Sequence, residues 1–212
     1  MTKLSLHDIE DLRAYERERS DFRDRIITLK QKRRVHVGPV VTLLFENRET
    51  IRFQVQEMAR AERMLSDEAI QGELDAYNPL IPEAGELSAT LFVELTSEAE
   101  LREWLPKLVG IERSVELVIG GVAGPAGGGG GPPLVVRAEP ERGHAAQLTR
   151  IEITASVHYI RWSIAPDGVE RFTTEPVTLA ISHPSYDHRV LLDATTKQEM
   201  LVDLRGEDGA AP

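Results

Sequence analysis

Leu87-Ser88-Ala89-Thr90-Leu91-Phe92-Val93-Glu94-Leu95, followed by Ser97 and Glu100 and then by Leu101, Trp104, Leu105 and Leu108, decides the fold class. Strict alternation places Leu87, Ala89, Leu91, Val93 and Leu95 on one face, the pattern of a strand with one side in a core. Ser97 with Glu100 three residues on is a capping box, and the apolar residues after it recur at helical spacing. Gly110 stands where a helix needs a residue in the left-handed region. Val115 to Ile119 reads as another strand. Strand, helix and strand without a repeating β/α series predict an α+β or split β-α-β arrangement, with a mixed or antiparallel sheet packed against helices.

Toward the N-terminus, Ser5 and Asp8 ahead of Ile9 and Leu12 read as the cap and acidic first turn of a helix reaching about Arg19. Ser20 reads as the cap of a second helix, with Phe22, Ile26, Leu29 and Arg33 at helical spacing, so two charged N-terminal helices are expected. Gly38-Pro39 breaks that pattern. Val35 to Val37 and Val40 to Phe45 then form a hairpin ended by Glu46-Asn47-Arg48. From Glu49 to about Leu65 the helical period returns, with Ile51, Val55, Met58 and Leu65 on one face and Glu62 within that stripe. A short helix from Asp67 to Tyr77 is expected to stop at Asn78-Pro79, because a residue before proline is pushed out of the α region.

Downstream, Gly120 to Pro133 holds eight of the sixteen glycines and three of the twelve prolines. It has neither Gly-Lys-Ser/Thr nor Gly-x-Gly-x-x-Gly and reads as a flexible surface loop. Ser156 to Ile164 alternates with His158, Ile160, Trp162 and Ile164 on one face; Val177, Leu179, Ile181 and His183 share a face of the next strand. A strand at Val190 to Leu192 and a helix from Thr195 to about Leu201 complete one expected domain, residues 1–205, followed by a disordered tail at 206–212.

The chain has 212 residues, no cysteine, 5% aromatic residues and a formal charge of −10. Without cysteine it cannot hold an iron–sulfur cluster or a Cys-type zinc site by itself. Its longest apolar stretch, Val40 to Phe45, is far short of a membrane span, and the first residues run into charge instead of a signal-like apolar segment. A cytoplasmic location without membrane attachment is expected. Residues 1–36 carry ten Lys or Arg against seven Asp or Glu, whereas residues 37–96 carry four against eleven. The run Lys30-Gln31-Lys32-Arg33-Arg34 fits the last turn of a helix, where cations complement the dipole, and the acidic whole argues against nucleic acid.

Standard catalytic motifs are absent from the sequence. What stands out is Glu62, His158 and His183 on otherwise apolar faces. Brought together they would offer Zn, Mn or non-haem Fe a carboxylate and two imidazoles, with His188 as a further ligand and Asp187 beside it. The competing reading makes the histidines packed or rim residues and pairs Glu62 with Arg60, Arg63 or Arg161. Glu73 and Asp75, two apart on a helix, point different ways and cannot grip one ion.

Arg33-Arg34-Val35-His36-Val37-Gly38-Pro39, Thr42-Leu43-Leu44-Phe45-Glu46-Asn47-Arg48, Gln54-Val55-Gln56-Glu57-Met58, Glu73-Leu74-Asp75-Ala76-Tyr77-Asn78-Pro79-Leu80-Ile81-Pro82 and His183-Pro184-x-Tyr186 together resemble the bacterial family of domain of unknown function 3501. The resemblance runs over nearly the whole chain and implies no catalytic residues. It implies a setting near rubrerythrin-like and iron–sulfur oxidoreductase proteins. A non-catalytic accessory or interaction protein of such a redox or oxidative-stress system is therefore expected, with self-association into a homodimer through the N-terminal helices as a further expectation. The alternative is a small metal-dependent enzyme on the His/carboxylate set.

Overall fold

The hairpin forms where the alternation places it. β1 (Arg34–Val37) pairs antiparallel with β2 (Val41–Glu46), Val35 opposite Leu43 and Val37 opposite Val41. The computed structural model describes residues 1–121, 131–141 and 153–207. β3 (Glu86–Val93) adds to β2, and β7 (Val157–Ser163) adds to β3. The two-residue β6 (Glu139–Pro140) closes this five-stranded antiparallel sheet in the order β1-β2-β3-β7-β6. A second antiparallel sheet has the order β5-β4-β8-β9, from β4 (Val115–Ile119), β5 (Leu134–Arg137), β8 (Val177–His183) and β9 (Tyr186–Leu191). The chain crosses between sheets at Ala138, whose N–H donates to Val115 O at 2.8 Å.

The two sheets face each other across one core. Leu43, Phe45, Leu87, Leu91, Ile160 and Trp162 from the first meet Val115, Leu117, Ile119, Leu179 and Ile181 from the second, all buried. Trp162 stacks on Phe45 with ring centroids 5.6 Å apart. β3 and β4 thus lie in different sheets, so of the two arrangements left open the split β-α-β unit is not formed. Its helix, α4 (Glu98–Lys107) with the expected Ser97–Glu100 capping box, carries the chain from one sheet to the other. The α+β class and the antiparallel pairing stand.

The opposite face of the five-stranded sheet is covered by helices. The two expected N-terminal helices are one continuous α1 (Leu12–Arg33), capped by Asp11, whose side chain accepts from the N–H groups of Arg13 and Ala14. Ser5 and Asp8 do form a capping box, but only on the 3-10 turn Leu6–Asp8. Ser20 lies exposed within α1. The physical reason is that Tyr15, Phe22 and Ile26 fall on one stripe, at i, i+7 and i+11, and a single helix buries all three. α2 (Arg48–Ala61) and α3 (Asp67–Tyr77) complete this layer, the latter with the expected bounds. Pro79 does not stop the chain turning, since a 3-10 turn follows at Asn78–Leu80.

At the far end, α5 (Pro166–Thr174) and α6 (Ala194–Leu204) pack on the core through Phe172, Met200, Leu201 and Leu204. Most of the glycine tract, residues 122–130, lies outside the described residues, as does the tail beyond residue 207. The ends of the tract are held by Arg171, which donates to Ile119 O at 3.3 Å and Pro132 O at 3.0 Å.

β9 secures the β1–β2 turn. Tyr186 Oη donates to Val37 O at 2.6 Å and accepts from the N–H groups of Val40 and Val41 at 3.1 and 3.2 Å. Gly38 has φ +74°, and a Cβ there would stand 2.5 Å from the His188 ring. Glycine is thus required on both conformational and steric grounds. Among the described residues, no helix is long and apolar enough to cross a membrane.

Candidate functional site

β2, β3 and β7 turn mainly apolar side chains toward the second sheet and carry a cluster of polar ones on the face toward the helices. Glu46, Ser88 and Arg161 stand in register across the three strands, and Thr90 and Tyr159 form the next row. Glu46 is 3% exposed, so its carboxyl group requires internal partners. Thr90 Oγ1 donates to Oε1 and Thr50 Oγ1 to Oε2, each at 2.5 Å. Thr50 is also the N3 residue of α2, in reciprocal contact with the cap Asn47. Glu46 therefore joins the start of α2 to the middle of β3. Burial, together with the charge of Glu46 and the hydroxyl of Tyr77, pushes the Tyr159 phenol up to about 12. Arg161 donates to Pro79 O in the turn after α3 and pairs with Glu86 at 3.5 Å.

A second buried polar group sits at the C-terminal end of α1. Lys30, Lys32 and Arg33 stand in the last turn of α1, as expected, but Arg33 is 1% exposed. Its Nε donates to Phe45 O at 2.9 Å, and one terminal nitrogen donates to Glu46 O at 3.2 Å and to the Asp203 carboxylate. A third cluster joins α1 to α2: Glu57 accepts from Tyr15 Oη at 2.7 Å and from Arg19 at 2.7 and 2.9 Å. The Arg19 guanidinium, aided by Tyr15, holds Glu57 down to about 2 against the cost of its burial.

The expected metal ligands are not brought together. Glu62 is the C-cap of α2, exposed, because α2 ends at Ala61 and Arg63 turns the chain with φ 53°. Leu65, expected on the same buried stripe, is 86% exposed. Among the described residues, no three His, Asp or Glu side chains converge as a metal site. His183 is buried with both ring nitrogens engaged: Nε2 donates to Val109 O at 3.1 Å, and Nδ1 accepts from Ser185 N–H at 3.2 Å. No lone pair on that ring remains for Zn, Mn or Fe. His188 lies with its ring 4.4 Å from that of Tyr186. Glu62, His158, His183 and His188 therefore do not converge on one ion among the described residues.

His158 is 3% exposed and occupies the edge of the core between the sheets. Its Nε2 lies 2.9 Å from Ala155 O and 2.8 Å from Thr154 Oγ1; the carbonyl only accepts, so Nε2 carries the proton. Burial holds the imidazole below the usual histidine range, with the charge of Glu112 and the Ala155 contact pulling the other way. A histidine kept neutral in the fold contributes stability that is lost as pH falls through its ordinary value of about 6.5. Urea unfolding at pH 7 and pH 5 is expected to show a larger acid-side loss of stability for the wild type than for His158→Gln; an equal loss would refute the assignment.

The family described as "Protein of unknown function (DUF3501)" matches residues 3–204. The chain belongs to that family. A crystal structure of a novel protein of unknown function from Burkholderia pseudomallei K96243 superposes with a TM-score of 0.84 at 30% identity, over 96% of this chain and 100% of that one. No curated protein matches the chain. In this DUF3501 chain the family-like strings have definite places. Glu46 and Asn47 form the joint at the start of α2, and Asn78 closes a two-way pair with the main chain of Leu4 at 2.8 and 2.9 Å. Pro79 O receives Arg161, and Tyr186 holds the β1–β2 turn.

Sequence reasoning passed over Glu46, Arg33 and Asp203. Glu46 carried a usable signal: it ends a largely apolar strand, directly after Leu43-Leu44-Phe45, and stands immediately before a helix cap. Arg33 carried one too, since it continues the i, i+4, i+7 stripe of Phe22, Ile26 and Leu29. Asp203 carried none, because its partner lies 170 residues away.

Proposed function

We propose that this protein is a non-catalytic accessory or interaction protein acting in a redox or oxidative-stress setting, through contacts with rubrerythrin-like or iron–sulfur oxidoreductase proteins. The observation that carries the reading is the exposure of α1. Of its 22 residues only Tyr15, Phe22, Ile26 and Arg33 are buried. Arg13, Arg17, Arg23 and Arg25 alternate along its outside with Glu16, Glu18, Asp21 and Asp24. A long helix docked by so narrow a stripe leaves most of its surface to solvent, and exposed charge of both signs serves encounter and register better than raw affinity. The buried charges described above join elements of the fold. The redox setting rests on the family resemblance.

The purified chain is expected to bind a purified rubrerythrin-like or iron–sulfur oxidoreductase protein saturably in calorimetry. Binding should weaken several-fold when salt rises from about 0.05 to about 0.3 M, as screening shortens the reach of surface charge. Charge reversal at Arg17 and Arg23 should weaken it further while leaving the fold intact. Absence of binding at protein concentrations near 0.1 mM, about the range of weak transient contacts, would overturn the proposal.

A further inference from the structure

We propose that the cluster of Arg33, Asp203 and Glu199 is a proton-controlled tie between α1 and α6: one proton taken up by Asp203 tightens the docking of α6, and its loss loosens that docking. The geometry sets two carboxylates against one buried guanidinium. Asp203 and Glu199 are four residues apart on α6, and Arg33 meets both, Asp203 through one terminal nitrogen and Glu199 Oε2 at 3.5 Å through the other. Asp203 is 1% exposed, and among the described residues its Oδ1 has no hydrogen-bond partner. That oxygen is the place in the cluster where a proton relieves the most unbalanced charge.

The charged groups around Asp203 come from three directions. α1 supplies Arg33 and, nearer the rim, Lys32, whose Nζ stands 3.7 Å from Glu199. α6 itself supplies Glu199, and the α-amino group of Met1 adds a weak positive contribution. β2 supplies only main-chain carbonyls, those of Phe45 and Glu46. Burial, reinforced by Glu199, outweighs the pull of Arg33 and holds the Asp203 carboxyl up to about 6. A carboxyl group that binds its proton more tightly in the docked state favours docking as pH falls through about 6, and the gain is complete below its ordinary value near 3.9. The proton comes from solvent and rests on the Asp203 carboxyl group; its ion pair with Arg33 becomes a hydrogen bond, and Arg33 stays charged throughout.

α6 is positioned to transmit the change. Leu204 O accepts from Gly85 N–H at 2.8 Å ahead of β3, and Lys197 donates to Thr173 O and Glu175 O at the end of α5. Docking of α6 therefore bears on both the first sheet and the segment that carries Arg171.

Native-state hydrogen exchange tests the tie on the whole chain. Corrected for intrinsic rates, the amides of residues 198–204 in the wild type are expected to be about tenfold better protected at pH 5 than at pH 7. Asp203→Asn, which imitates the neutral side chain, should show equal protection at the two pH values. No change in the wild type, or the same change in Asp203→Asn, would overturn the proposal. A carboxyl-carbon titration of Asp203 by NMR needs no variant: a midpoint near 6 supports the tie, and one below about 4.5 overturns it.

Discussion

Arg33→Met is expected to lower stability by about 3 to 5 kcal/mol, the usual cost of removing one member of a buried charged pair and leaving the other unmatched. Methionine fills much of the same volume, so packing loss is a small part of that figure. Three sets of acceptors lose their donor at once: the carbonyls of Phe45 and Glu46, the Asp203 carboxylate and the Glu199 carboxylate. In a chain of this size such a loss lowers the melting temperature by about 10 °C. Lys32→Met is the control. Lys32 is nearly half exposed and touches Glu199 only at 3.7 Å, so its loss should fall within about 0.5 kcal/mol. A small effect at position 33, measured by calorimetry or urea unfolding, would mean that α1 is not tied to α6 through this residue.

Glu46→Ala is expected to cost about 3 kcal/mol, because it strips the buried hydroxyls of Thr50 and Thr90 of their acceptor and leaves a cavity beneath α2. The variant carries a second readout. The charge of Glu46 helps to hold the Tyr159 phenol up to about 12, so its removal should lower the tyrosinate titration of that ring in ultraviolet difference spectra. Thr90→Val, which removes one donor and keeps the shape, should cost about 1 kcal/mol. A neutral or stabilising Glu46→Ala would point the other way. Groups held at a functional site are commonly maintained at the expense of stability, and the polar layer would then be a binding site instead of a joint.

Several residues of the strings that resemble the family fall on joints between elements. Glu46 and Asn47 fix the start of α2, Asn78 the N-terminal segment and Tyr186 a strand turn, and Pro79 O ties the turn after α3 to Arg161 of β7. The longest helix among the described residues is α1.

Much of the secondary structure could be read from residue order. The Ser97–Glu100 capping box, the Val35–Phe45 hairpin, the helix Asp67–Tyr77 and the faces of the strands that became β3, β7 and β8 all rest on spacing within a few residues. Local spacing also misled where a polar residue imitated a boundary. Ser20 resembles a cap, yet helix formers continue on both sides and the Tyr15–Phe22–Ile26 stripe rewards one unbroken helix. Glu62 shares the angular position of Ile51 and Val55, yet α2 ends at Ala61 and Glu62 is its exposed C-cap.

Sequence alone determined the α+β class, the places of most strands and helices, the absence of thiol chemistry and the family. The class, the elements and the lack of thiols follow from composition or from periodicities of two and 3.6 residues, which the chain expresses locally, and the family from its resemblance over nearly the whole chain. Tertiary structure alone decided that the strands divide into two facing sheets, that Arg33 and Glu46 are buried while Glu62 is exposed, and that His183 spends both nitrogens on the main chain. Periodicity shows that a face is covered but not by what. The worth of a buried charge is set by the group opposite it, and for Arg33 that group lies 170 residues along the chain.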